Sequence, residues 1–287
     1  MTYFDLSAMK KTLLVTVVLS AMVWSTCTLA ATDAIPTCYD SKLSAPAIPL
    51  AKEIFVIIDQ TTLLDDQLKQ SVANQIRPFL TAGNGFSVLV FSAFTQGKYT
   101  QLLTSGQLNH PLPTDQRNDV SKPRLSKFDQ CIARQSALAM QAMGGALRAA
   151  FEGTSGEIAK SDILASLKDI AGRIRQSEAT EKVVLLVSDM LENSSFSSFY
   201  ARQSVRLIDP EREMQLATDN RLIGNFGDAR IYVIGAGLLS DDAKKSRAAY
   251  RDPKTMQALS SFWKSYFEKS KAQLVEFGQP ALLDQIK

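Results

Sequence analysis

Ile54-Phe55-Val56-Ile57-Ile58-Asp59 is the stretch that decides the fold. Five consecutive β-branched or aromatic residues show no polar alternation, so a strand made of them needs cover on both faces. That is the situation of a strand inside a parallel sheet, and the run stops abruptly at a carboxylate. Val183-Val184-Leu185-Leu186-Val187 repeats the pattern and stops at Ser188-Asp189.

Working outward from these runs, Leu68, Val72, Ile76 and Leu80 recur every four residues, which predicts a helix over 65–80. Gly83-Asn84-Gly85 is a turn before a strand over 86–94, and 98–103 reads as another strand. Only Thr95-Gln96-Gly97 separates those two, a gap that joins antiparallel neighbours, since a parallel crossover needs many more residues. Residues 104–127 read as a long loop carrying His110, a solvated loop histidine. Residues 128–152 read as a buried helix with Met140 and Met143 in the core, where Gly144-Gly145 marks an interruption or close packing. Ser161 caps a helix over 161–174. Further on come a helix over 210–222, a strand over 230–234 closing in Gly235-Ala236-Gly237, a helix opening at Asp252-Pro253 and reaching 270, and a strand over 273–277. In that last helix Phe262, Trp263, Tyr266 and Phe267 are spaced to pack on the sheet. Strands alternating with helices predict an α/β domain over 51–287, doubly wound, with a mostly parallel sheet, one antiparallel edge strand and helices on both faces.

Composition fits this reading. Of 287 residues, 45% are hydrophobic and 21% charged, which excludes wholesale disorder. The net charge of +3 is too weak to argue for nucleic acid, and a single histidine excludes a multi-histidine metal site. Met9-Lys10-Lys11, the apolar run Leu13 to Trp24 and the small residues around Ala30-Ala31 read as a secretory signal over 1–30. Cleavage after Ala30 sends the body to the periplasm or outside, with an uncleaved membrane anchor as the alternative. Residues 31–50 read as an extended arm. Cleavage also removes Cys27 and leaves Cys38 and Cys131, an even pair that an oxidising compartment joins as a disulfide; the alternative is two buried thiols.

In open α/β sheets ligands bind outside the carboxyl ends of the strands, where Asp59 and Asp189 both stand. Two carboxylates beside an apolar sheet are costly unless hydrogen-bonded or metal-bound. A hard cation such as Mg²⁺ between them, with the Thr61 hydroxyl joining, relieves the cost. Otherwise Asp59 caps the next turn and Asp189 accepts backbone N–H groups.

The stretches Ile54 to Leu63 and Val184 to Asp189 resemble the opening strand with its metal loop, and the later acidic strand, of von Willebrand factor A (vWA) domains. The resemblance spans 52–277. It implies a vWA-like six-stranded sheet, a bound Mg²⁺, and recognition of a protein partner whose carboxylate completes the metal sphere. It makes Asp59, Thr61 and Asp189 metal ligands. Two ligand positions depart from the pattern: Leu63 stands where a serine belongs, and the family threonine aligns near Gln141, in Gln141-Ala142-Met143-Gly144-Gly145-Ala146-Leu147, where no threonine occurs. The implied site is degenerate, so Mg²⁺ is optional.

Glu192, Asn193, Ser194 and Phe196 lie just beyond Asp189 and are the expected contacts to a protein partner, against the alternative of a packed loop with a helix cap. No catalytic set is visible. A haloacid-dehalogenase-like phosphatase, the competing enzyme reading, needs an aspartate two residues after Asp59 as general acid, and Thr61 stands there. The third reading is a structural component of a cell-envelope assembly.

Overall fold

A computed structural model describes residues 33–92, 99–154, 161–201, 204–239 and 251–287. The segment 1–30, the Thr95-Gln96-Gly97 link and the basic cluster Lys244-Lys245 with Arg247 lie outside the described residues.

The elements run β1 (Lys52–Asp59), α1 (Asp66–Ile76), β2 (Gly85–Ser92), β3 (Tyr99–Gln107), α2 (Thr114–Arg117), α3 (Lys122–Glu152), α4 (Ile163–Gln176), β4 (Glu181–Val187), β5 (Tyr200–Ala201), β6 (Ser204–Val205), α5 (Pro210–Asp219), β7 (Ala229–Ile234), α6 (Pro253–Lys269) and β8 (Ala272–Phe277). Six strands form one sheet in the order β3-β2-β1-β4-β7-β8, and only β3 runs antiparallel, against β2. Among the described residues β5 and β6 pair only with each other. The six strands and the single antiparallel edge are those the vWA resemblance implied.

Successive strand residues point to opposite faces, which explains the unbroken apolar runs. Phe55, Ile57, Val184 and Leu186 meet α4, α5 and α6 on one face, while Ile54, Val56, Ile58, Val183, Leu185 and Val187 meet α1 and α3 on the other. The aromatic residues of α6 are fully buried on the first face.

Several boundaries move. Pro78 has no N–H to give, so α1 ends at Ile76 and a short 3₁₀ turn (Arg77–Phe79) finishes the segment. The stretch read as a long loop holds the rest of β3 and all of α2, and α3 starts at Lys122-Pro123, six residues before the expected 128. Met143 is in the core, but Met140 is 47% exposed on the outer face of α3. Gly144 and Gly145 interrupt nothing: the helix continues through them, and beyond their chain neighbours and the helix's own backbone nothing lies within 4 Å of where either Cβ would stand. Among the described residues no helix is long and apolar enough to cross a membrane.

The arm is packed rather than loose. Ile35 is buried, the Cys38 N–H donates to Asn109 Oδ1 at 2.7 Å, and Cys38 forms a disulfide with Cys131 on α3.

Candidate functional site

The β1–β4 register pairs Ile58 with Val187, so the residues that follow, Asp59 and Ser188, emerge side by side at the carboxyl edge. Asp59 is fully buried. Its Oδ1 accepts the Thr61 backbone N–H at 2.9 Å and the Thr61 hydroxyl at 2.6 Å. Its Oδ2 accepts the Ser188 hydroxyl at 2.9 Å and the Ser161 hydroxyl at 3.3 Å. Asp189, 4% exposed, accepts the Leu191 N–H on Oδ1 at 2.8 Å and the Tyr200 hydroxyl on Oδ2. The Asp189 N–H donates to the Thr62 hydroxyl at 2.9 Å, which ties the two strand ends together.

The loop after β4 is fixed from several sides. The Gly237 N–H donates to the Asp189 carbonyl at 2.8 Å, and Trp263 Nε1 donates to the Met190 carbonyl at 2.9 Å. Gly235 has φ +105, and a Cβ there would lie 3.0 Å from the Ser188 carbonyl oxygen, so this position needs glycine. The Gly235-Ala236-Gly237 turn thus closes against the loop that carries Asp189.

Burial raises the pKa of Asp59 above the ordinary carboxylate range, against the pull of its hydroxyl and amide donors. Burial, and then the neighbouring Asp59 charge, push Asp189 up to about 8. The two carboxylates are close enough to repel, and the site retains a proton at neutral pH.

The structure brings together all three residues expected to act as metal ligands, Asp59, Thr61 and Asp189, and adds Ser161, Ser188 and Tyr200. Leu63 supplies no oxygen, and Gln141 is an exposed residue of α3 with no place in the cluster. The hydroxyl sought near Gln141 comes instead from Ser161, one helix later, ahead of Ile163-Leu164. Ser161 was read as a cap for α4, yet its hydroxyl turns to Asp59. Backbone pairing with Asn193, at 3.2 and 2.9 Å, holds it there. Local spacing could not separate these two uses of one serine.

The start of α4 is closed by Glu192, whose Oε2 accepts the Leu164 N–H at 3.0 Å. Glu192 was expected on a partner-facing rim; it is instead fully buried, and burial pushes its carboxyl up to about 8. A carboxylate near the first turn meets unpaired N–H groups and the positive end of the helix dipole, which favours this placement. Asn193 and Ser194 are half-buried, Phe196 packs against the core, and Phe199 is wholly inside it. Within 192–199 only Ser195 is fully exposed. His110, half-buried, lies at the opposite edge of the sheet, with Nε2 3.0 Å from the Pro49 carbonyl oxygen.

The donor set is all oxygen and therefore of the type that suits Mg²⁺ or Ca²⁺. It is poor in charge: among the described residues no group of three or more His, Cys, Asp or Glu gathers as a metal site. The residues fit a weakly held hard cation.

No protein-family model matches the chain, and no curated protein matches it. Among solved structures, an aerotolerance-related membrane protein from Bacteroides fragilis is 11% identical, over 79% of this chain and 92% of its own, with a TM-score of 0.33. The conserved hypothetical protein BatB from Bacteroides thetaiotaomicron is 10% identical, over 80% and 91%, with a TM-score of 0.34. The TFIIH p34 N-terminal domain is 12% identical, over 76% and 98%, with a TM-score of 0.30. Likenesses at these scores carry no argument about function. The class rests on the chain's own sheet: it is a doubly wound α/β domain with the mostly parallel sheet and single antiparallel edge strand that the vWA resemblance implies.

Proposed function

We propose that this chain is an exported, non-enzymatic protein-binding module that engages a protein partner at the carboxyl edge of its sheet. The observation that carries the proposal is the convergence of Asp59 and Asp189 with the hydroxyls of Thr61, Ser161 and Ser188, drawn from three separated segments to one lip. These five residues would hold a Mg²⁺ ion. The ion would neutralise the carboxylate pair and offer an open coordination position to a carboxylate on the partner. Asn193, Ser194 and the exposed Ser195 form the adjoining rim.

Two further features support the reading. The disulfide fits an oxidising compartment outside the cytoplasm, which suits export and a partner in the cell envelope. Asp59 has no exposed surface and accepts four hydrogen bonds, and Thr61 is engaged with that same carboxylate, which favours the binding module over a phosphatase nucleophile with its general acid.

The test places a photo-crosslinker at Ser195 on the carboxyl lip and, in a second variant, at Glu178 on the opposite lip. We expect crosslinks to an envelope protein from Ser195 alone, with Asp59→Ala reducing them at least ten-fold. Crosslinks from Glu178 alone, or a yield indifferent to Asp59→Ala, overturn the proposal. Calorimetric titration with Mg²⁺ and Mn²⁺ tests the cation separately: the expected heat disappears in Asp59→Ala, and no heat in the unaltered chain removes the cation while leaving the module.

A further inference from the structure

We propose that Tyr200 is an internal plug on this site: its phenol holds the place at Asp189 Oδ2 that a divalent cation would take, so the side chain must turn away before a cation can enter. This rests on the cation reading above. The argument begins with the donors. Every oxygen of the two buried carboxylates already has a hydrogen-bond donor. Thr61 and Leu191 lie two residues from the aspartates they serve, Ser188 follows β4 directly and so stands beside Asp59, and Ser161 is pinned there by its backbone pairing with Asn193. Those donors are part of the floor of the site. Tyr200 reaches Asp189 from eleven residues further along the chain and is the donor whose removal would uncover a carboxylate oxygen without disturbing a strand end.

The surroundings of Tyr200 divide into a fixed part and a weak part. Phe199 is 1% exposed, stands edge-on to Phe262 with ring centroids 5.2 Å apart, and donates its N–H to the Glu192 carbonyl at 2.7 Å. It anchors the chain immediately before the plug. Tyr200 itself begins β5, which among the described residues pairs with the two-residue β6 and not with the main sheet, so its ring rests on the core while its backbone is held by a short pairing. Two-stranded pairs of that size are marginal by themselves. The phenol is half-buried, and a tyrosine hydroxyl is a hydrogen-bond donor across the physiological range. A phenol satisfies one buried oxygen but brings no positive charge to the two aspartates, which a cation would bring.

The test is Mn²⁺ titration of the full chain in three forms: unaltered, Tyr200→Phe, and Tyr200→Phe combined with Asp59→Ala. Tyr200→Phe keeps the ring and removes the donor. It should bind Mn²⁺ at least ten-fold more tightly than the unaltered chain, and the double variant should lose that binding. Equal affinity in the first two overturns the plug and leaves the cation reading standing. Tighter binding by the unaltered chain makes the phenol a ligand and also overturns the plug. No binding in either form removes both plug and cation. Should Tyr200→Phe not fold, the unaltered chain carries the test: saturating Mn²⁺ must accelerate amide hydrogen exchange at 199–201 and 204–206, and unchanged or slower exchange there overturns the proposal.

Discussion

The two lips of the central sheet handle acidic side chains in opposite ways. At the carboxyl lip, Asp59 and Asp189 are buried and enclosed by hydroxyls and amides. At the amino lip, Glu53 accepts the Ser87 hydroxyl at 3.0 Å and the Ser177 hydroxyl at 2.6 Å, yet remains half-buried beside a cavity of about 430 Å³ lined by Pro46, Leu50, His110 and Glu178. One lip is closed by residues that follow each strand directly. The other is roofed by the arm, held through the Cys38–Cys131 disulfide and a bond of 2.8 Å from Gln135 Nε2 to the Pro36 carbonyl. The difference teaches that hydrogen bonds made directly to the carboxylates enclose a site, whereas a tether anchored away from it leaves room beneath.

The largest expected effect breaks the tether. Replacing both Cys38 and Cys131 by Ser opens a loop with a sequence separation of 93, for which chain entropy predicts a loss of about 4 kcal/mol, with measured losses often smaller. Urea unfolding measures the loss, and limited proteolysis should cut 38–49 first while Mn²⁺ affinity at the other lip is unchanged. Next comes Asp59→Ala. It strands the Thr61 N–H and three hydroxyls in a buried setting and should cost on the order of 3 kcal/mol, read as a lower urea midpoint with unchanged slope.

The third prediction sharpens the contrast through pH. In the folded chain Asp189 holds its proton to about pH 8, while in the unfolded chain it releases it near the ordinary value of 3.8. Between these the folded state binds more protons, so stability falls as pH rises. The contribution is fully present below about 4 and gone above about 8, and it amounts to at most a few kcal/mol. Glu192, also raised to about 8, acts in the same direction. Asp189→Asn should flatten the profile and make the protein more stable than the unaltered chain on the alkaline side. A profile that rises across this window would contradict the buried-pair geometry. The smallest effect belongs to the open lip: His110→Ala should cost under about 1 kcal/mol, because it removes one hydrogen bond from a half-buried group.

How much was legible follows from the range over which each signal acts. The apolar runs 54–58 and 183–187 announced covered strands, and the short link after β2 announced the antiparallel edge. Asp59, Thr61 and Asp189 could be singled out because they terminate or follow those runs. Ser161 carried a capping signature that was true of its position and misleading about its hydroxyl. Glu192 looked like a surface acid because nothing in the local sequence shows the first turn of α4 lying against it. Met140 was read as core because α3 is rich in apolar residues all round, and only packing reveals which stripe faces the sheet.

The sequence by itself determined the layered α/β architecture, the carboxylates at the strand ends and the even cysteine pair, because periodicity, run length and counting are properties of the chain alone. The tertiary structure decided which hydroxyls meet Asp59, which helix Glu192 serves and where Tyr200 rests. A hydrogen bond forms only within about 3 Å. Ser161 lies 102 residues and Ser188 lies 129 residues from the carboxylate they share, and folding alone brings them within that reach.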